Sequence, residues 1–307
     1  MCRVVGYLGR PVSLEGVLYD ADSALVRQSY SPRMMEAFLN LAGFGMAAWD
    51  ERSVHSDEPF TYRVPTMPSF DRNLRGICRK LAPTCMLAHV RGVTWGSGEV
   101  ISDLNLHPFQ FPGTKLVMAH NGHLRDFRAM RYDLLDHLRP GLSRHIVGTT
   151  DSEWIYALLL SQLEDPAAAP DAEELTAATI RVLEILREVR ARHGIATSSP
   201  VNLFMATGDC LVATRFVLDY GWYPDDDPLL EIDLPYVSLW YTLGRAYDEN
   251  DGGWEMLAPH GRPESLLIAS EPLTADTSTW LEVPEYSLLR VSRTGDGLHH
   301  ETVPLDV

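Results

Sequence analysis

Hydrophobic and polar positions along this chain follow two rhythms, and where each one holds predicts an element. Short apolar, β-prone runs predict strands at Val4–Leu8, Gly43–Trp49, Thr84–Val90 and Lys115–His120. Ser13–Leu18 reads as another short extended piece, Asp20–Arg27 as a connecting turn or short helix, and Ser53–Pro68 as loop. Apolar residues at helical spacing predict helices at Asp71–Leu81, Phe127–Leu138, Glu153–Gln162 and Ala172–His193. In the first of these Leu74, Ile77, Cys78 and Leu81 share one face; in the last Leu175, Ala178, Val182, Ile185, Leu186 and Val189 form one stripe. Asp165–Asp171 links the last two helices.

The last third changes character. Val201–Ala206 and Cys210–Phe216 read as a hairpin across a Gly208-Asp209 turn. Val237–Thr242, Leu266–Ser270 and Tyr286–Val291 read as further strands, with acidic loops at Asp225–Asp227 and Asp248–Gly253. Strands and helices come in blocks of like kind more than in alternation, which predicts an α+β fold of mostly antiparallel sheet.

Composition narrows the class. The 307 residues are 45% hydrophobic, enough to bury a substantial core. A formal net charge of −16 argues against unassisted binding to nucleic acid or an anionic membrane. No signal-peptide pattern opens the chain, and no uncharged apolar stretch reaches the ~18 residues of a membrane span. The expectation is a soluble, cytoplasmic protein. Four cysteines without a CxxC predict neither a disulfide scaffold nor a structural zinc site. The histidines form no HExxH, so no metal is expected; His299-His300 is expected in solvent.

Four places carry candidate chemistry. Cys2 directly follows the initiator methionine. Removal of Met1 would leave a thiol and a free α-amine on one residue, and an amine with a pKa of about 7.7–8.0 can serve as base to its own nucleophile. The plainer reading is a small hydrophobe at the start of a buried strand. Arg91, just past a predicted strand, suits bidentate capture of a carboxylate, or lies on the surface. His120-Asn121-Gly122-His123 contains a turn dipeptide whose amide and backbone N–H could equally face a developing oxyanion. Thr149-Thr150-Asp151-Ser152-Glu153 reads as a helix N-cap with an acidic first turn, or as a carboxylate offered to a substrate ammonium.

Taken together these pieces resemble the class II glutamine amidotransferase domain, an N-terminal nucleophile hydrolase. The likeness rests on Met1-Cys2-Arg3 through Gly6-Tyr7, Arg91-x-x-Thr94-x-Gly96 and Asn105-x-His107-Pro108-Phe109. It continues through His120-Asn121-Gly122 and Thr150-Asp151-Ser152-Glu153, and Ala269-Ser270-Glu271-Pro272-Leu273 fits the stand-alone branch, which includes γ-glutamyl amidohydrolases. It is clear over roughly positions 2–160 and looser to about 291. The resemblance implies a four-layer αββα sandwich and hydrolysis of a γ-glutamyl amide without metal or cofactor. It assigns Cys2 as nucleophile, Asn121 and Gly122 as oxyanion hole, and Arg91, Thr94 and Asp151 as substrate-binding residues. Trp95, His107 and His120 are expected as supporting residues around them. Trp95 stands where many relatives carry a polar residue, so either glutamine recognition is altered there or its ring packs over the substrate stem.

The expected organisation is one domain over 2–307 with an elaboration at about 217–260. Three activities fit: a free-standing γ-glutamyl hydrolase, a glutaminase subunit feeding ammonia to a separate partner, or a silent binding protein that keeps the fold. A second copy of the chain is a further expected kind of partner. The aromatic residues Tyr220, Trp222, Tyr223, Tyr236, Trp240 and Tyr241 are read as a leaving-group pocket, a partner surface or plain sheet packing.

Overall fold

The computed structural model describes residues 2–34, 40–93, 100–219, 238–251 and 253–307. The strands of the first half are β1 (Arg3–Leu8), β2 (Phe44–Trp49), β3 (Phe60–Val64), β4 (Cys85–Val90) and β5 (Val117–Gly122). Then come β6 (Ser199–Ala206), β7 (Cys210–Arg215), β8 (Val217–Leu218), β9 (Trp240–Gly244), β10 (Ala246–Asn250) and β11 (Gly253–Leu257). The chain finishes with β12 (Ser265–Ala269), β13 (Leu281–Glu282), β14 (Ser287–Thr294) and β15 (Gly297–Pro304). The α-helices are α1 (Leu25–Gln28), α2 (Arg72–Cys78), α3 (Phe127–Met130), α4 (Asp151–Gln162) and α5 (Ala172–Arg192).

Two antiparallel sheets stack face to face. One runs β13-β9-β12-β1-β4-β2-β3, the other β15-β14-β7-β6-β5, with β8 alongside β6. Successive strand side chains point to opposite faces, so each strand divides its residues between two layers. In β1, Val4 and Leu8 enter the apolar layer between the sheets, while Val5 and Tyr7 enter the outer layer under α1 and α2. In β5, Val117 and Ala119 face inward and Met118 faces α4 and α5. Three separate apolar clusters result, one between the sheets and one outside each. That is the four-layer αββα sandwich.

The two long helices start as their sequences dictate. Thr150 caps α4 by accepting the Glu153 N–H, and Asp171 caps α5 by accepting the N–H groups of Glu173 and Glu174. Elsewhere the local pattern misleads. Ser13–Leu18 is not extended: the chain coils there into a π-helical turn at Gly16–Asp20. Gly16 is needed because a Cβ there would lie 2.2 Å from the Trp254 ring, which packs flat against it from β11. Phe127–Leu138 is not one helix but α3 followed by a 3-10 turn at Asp133–His137, still burying Phe127, Met130 and Leu134. The segment 53–68 contains β3, an exposed edge strand paired to β2. Of the acidic stretch, Asp248, Glu249 and Asn250 lie on β10, paired to β11. His299 and His300 sit on β15; His299 is exposed as expected, but His300 is half-buried with its ring near Tyr241.

Candidate active site

The same alternation that builds the middle layer puts polar side chains at one of its ends. His89 has the parity of Cys85 and Leu87, Asn121 that of Val117 and Ala119, and Ser270 that of Leu266 and Ile268. All three therefore point between the sheets, where the apolar layer runs out. Cys2 shares the parity of Val4, immediately before β1.

Cys2 meets the segment after β4. Its Sγ accepts the Gly92 N–H at 3.4 Å and lies 3.7 Å from the Gly92 carbonyl. Arg3 Nη1 holds the Cys2 carbonyl at 3.0 Å, and Arg3 is itself 3.8 Å from Glu271, with both side chains buried. Burial lowers the Arg3 pKa and the Glu271 charge opposes that. Glu271 also accepts the backbone N–H groups of Arg33 and Met34.

Asn121 is fully buried and donates from Nδ2 to Ser270 Oγ at 3.3 Å. Its Oδ1 has no partner among the described residues. Gly122 closes β5 against β6: a Cβ there would fall 2.0 Å from the Pro200 carbonyl oxygen, so only glycine allows this approach. The Asn-Gly pair is thus the end of a strand, not a hairpin turn.

Arg91 is buried, and its Nη1 donates to the Val100 carbonyl at 3.2 Å. Asn105 fixes the same carbonyl from Nδ2 at 2.9 Å and exchanges hydrogen bonds with Thr149, tying the Arg91 loop to the start of α4. Asp151, half-buried at the first turn of α4, accepts Leu124 N–H at 2.5 Å and Ser152 Oγ–H at 3.1 Å. Leu124 is two residues past Gly122, so Asp151 is held beside the Asn-Gly strand end. Glu153 turns back to accept the N–H groups of Val147 and Gly148; burial raises its pKa and those two donors oppose the rise. Thr94 and Trp95 lie outside the described residues.

Three buried histidines lie behind this face. His107 Nδ1 is 3.0 Å from His89 Nε2, and His107 stands edge-on to both His89 and Phe109. His120 Nδ1 is 2.9 Å from Ser152 Oγ, which in turn meets Asp151. Burial drives all three pKa values down. For His89, at about 3, the Arg91 charge adds to the effect; for His120 the Asp151 charge opposes it. These are neutral imidazoles at neutral pH. His107 and His120 contact His89 and Ser152, not Cys2, and back the loops and helix that carry other candidate residues. Among the described residues no group of three or more His, Cys, Asp or Glu is placed to hold a metal ion.

The structure thus links Cys2, Arg91 and Gly92 at one strand end, Asn121 to β1 through Ser270, and Asp151 to Asn121-Gly122 through Leu124. Gly92, His89 and Ser270 are contributors that motif reading left without roles. For His89 and Ser270 the signal is a polar side chain at a position where strand parity demands an inward, apolar one. Trp240 and Tyr241 sit on β9, half-buried and packed against the outer and middle layers respectively. The other four aromatics lie outside the described residues.

Comparison with known proteins identifies the family. A family model described as "Glutamine amidotransferases class-II" matches residues 20–219. "Probable glutamine amidotransferase DUG3" of Saccharomyces cerevisiae is 26% identical over 316 aligned residues, covering 97% of this chain and 84% of that protein. "Gamma-glutamyl-hercynylcysteine sulfoxide hydrolase" of Mycolicibacterium smegmatis is 29% identical, covering 95% of this chain and 96% of that protein. A glutamine aminotransferase class-II domain protein from Silicibacter pomeroyi superposes with a TM-score of 0.60 at 20% identity, over 99% of this chain and 100% of that one. Glutamine phosphoribosylpyrophosphate amidotransferase of B. subtilis superposes with a TM-score of 0.55 at 15% identity, over 98% of this chain and 49% of that one. These two structural likenesses concern the fold.

Proposed function

The chain belongs to the class II glutamine amidotransferases, and from that membership and the site's geometry we propose that it hydrolyses a γ-glutamyl amide through a thioester on Cys2. The observation that carries the proposal is the convergence at one end of the inter-sheet layer. A thiol held against the Gly92 N–H and a carboxamide tethered through Ser270 to the strand that follows the thiol both lie at strand ends where the apolar packing stops.

With Met1 removed, the Cys2 α-amine takes the thiol proton, and the thiolate attacks the γ-carbonyl carbon. The oxyanion of the tetrahedral intermediate is met by Asn121 Nδ2–H and the Gly122 N–H. Collapse breaks the C–N bond, and the α-ammonium protonates the departing amine. Water, deprotonated by the same α-amine, then attacks the thioester, releasing glutamate and restoring the thiol. Arg91 pairs with the substrate α-carboxylate and Asp151 with its α-ammonium, with Thr94 as a further substrate-binding residue. His107 and His120, neutral and buried, hold these elements in place without moving protons.

The near-complete mutual coverage with a protein named as a γ-glutamyl hydrolase supports hydrolysis of a γ-glutamyl compound. We read residues 2–307 as one catalytic domain, with 217–260 as its elaboration. The cysteines at 2, 78, 85 and 210 carry no disulfide, which supports a reducing, cytoplasmic setting. No helix among the described residues is long and apolar enough to cross a membrane.

The test is glutamate release from glutamine and from a panel of γ-glutamyl amides and peptides, beside Cys2→Ala. Turnover of one γ-glutamyl compound well above glutamine, lost in Cys2→Ala, is the expected result. Glutamine hydrolysis that rises only when a second protein is added would instead make this the ammonia-supplying subunit of a pair. No glutamate from any substrate, with Met1 shown to be absent, would overturn unaided hydrolysis.

A further inference from the structure

Ser270 follows directly on β12 and is buried at the end of the inter-sheet layer. Its Oγ accepts two N–H groups, from the Val4 backbone at 3.0 Å and from Asn121 Nδ2 at 3.3 Å. Its own backbone N–H returns to the Val4 carbonyl at 3.0 Å, and its carbonyl accepts Ser238 Oγ–H at 2.8 Å. One hydroxyl therefore touches both sheets: β1, two residues from the thiol, and the carboxamide at the end of β5. No backbone hydrogen bond joins β1 to β5, since the two strands belong to different sheets. Their relative placement at this end depends on side chains crossing the gap.

We infer that Ser270 is a positioning residue that sets Asn121 against Cys2 across the inter-sheet gap; this rests on the oxyanion role proposed for Asn121. Anchoring one N–H of the Asn121 amide on Ser270 fixes the plane of that amide and leaves its second N–H for an acceptor in the site. A donor held in advance costs no reorganisation when the oxyanion forms, so its effect falls on the transition state and not on ground-state binding. The adjoining Glu271 fastens Arg3 and, through it, the Cys2 carbonyl, so residues 270 and 271 together hold both reacting partners in place.

Ser270→Ala is expected to lower kcat about 10- to 100-fold with KM changed less than about 3-fold, less than full loss of an oxyanion donor would cost. Affinity for a γ-glutamyl aldehyde, which forms a tetrahedral adduct with the thiol, should fall in parallel with kcat, while affinity for glutamate stays. The rate of Cys2 alkylation by iodoacetamide should not change. Combined with Asn121→Ala, the second substitution should add little, because both remove the same donor. Should Ser270→Ala fail to fold, Ser270→Cys keeps the volume, weakens both hydrogen bonds and is expected to show the same split. A rise in KM at constant kcat, multiplicative losses in the double variant, or an alkylation rate that falls together with kcat would each overturn the positioning role. Wild-type turnover that survives Cys2→Ala would instead remove the thioester reading, and this inference with it. Cys2-dependent turnover with an unaffected Ser270→Ala overturns this inference alone.

Discussion

The two ends of β1 lie in the same sheet, yet they are built on opposite principles. At the far end Tyr7 Oη is 2.6 Å from the Arg10 carbonyl and 2.9 Å from Ser265 Oγ. Arg10 N–H donates to that same Ser265 hydroxyl. Arg293 Nη2 reaches across from β14 to the carbonyls of Gly9 and Thr84 at 3.1 and 2.6 Å. No buried side-chain polar atom of these residues lacks a partner. At the near end Asn121 Oδ1, His107 Nε2 and Arg3 Nε are all buried without one among the described residues. An unsatisfied buried polar group typically costs about 1–3 kcal/mol, so the near end gives up stability that the far end keeps. The difference teaches where to look for chemistry: one end of the strand closes the sandwich, and the other holds buried polar groups without partners among the described residues.

The largest way to sharpen this contrast is acid. The folded pKa values of His89, His107 and His120 are all lowered, whereas the unfolded chain takes up protons near pH 6.5. Below that pH the unfolded state binds protons that the folded state refuses, so stability falls as pH falls. Each histidine contributes about 1.4 kcal/mol per pH unit, or about 4 kcal/mol for three, until the folded groups themselves titrate. Urea unfolding midpoints measured from pH 7.5 to 5 should drop steeply below about 6.5; a flat profile would mean these imidazoles are not held neutral.

Next in size is Asn121→Ala. It should lower kcat about 10²- to 10³-fold, some 3–4 kcal/mol of barrier, while thermal stability holds or rises because an orphaned carbonyl is removed. Steady-state kinetics beside a melting curve checks both halves. The far end should answer in reverse. Arg293→Ala is expected to cost about 1–3 kcal/mol of folding stability, with kcat unchanged in the same assays, because it strands the Gly9 carbonyl and leaves Thr84 only the Gly9 N–H as donor. Smallest is Tyr7→Phe, which removes one hydroxyl from a buried network and should cost about 0.5–1.5 kcal/mol in urea unfolding, again without a kinetic effect.

Much of this architecture was legible because burial imposes period. The strands β1, β2, β4 and β5 are buried along nearly their whole length and read as apolar runs, and α5 carries an unbroken stripe. What escaped were the elements that packing pulls on only weakly. β3 is an edge strand with mostly exposed side chains, and the β10–β11 hairpin is acidic and half-exposed, anchored by Tyr247 stacked on Trp254. Phe127, Met130 and Leu134 fit a helix, but tighter 3-10 turns with similar spacing serve the same burial. Of the candidate site, Cys2, Arg91, Asn121-Gly122 and Asp151 were legible as motifs. Ser270 was visible as part of one, yet its partners Val4 and Asn121 lie 266 and 149 residues away, and no local pattern pairs positions so distant. The Cys2–Gly92 contact is hidden for the same reason, spanning 90 residues.

The most direct test of the central claim is an acid-quenched reaction with a turned-over γ-glutamyl substrate, read by intact and peptide mass. The account predicts a chain that begins at Cys2 and carries one γ-glutamyl group on the Cys2 peptide, labile to hydroxylamine as a thioester is. The group should be absent from Cys2→Ala, which should release no glutamate. Turnover in a chain that still carries Met1, or an acyl group on any other residue, would contradict it.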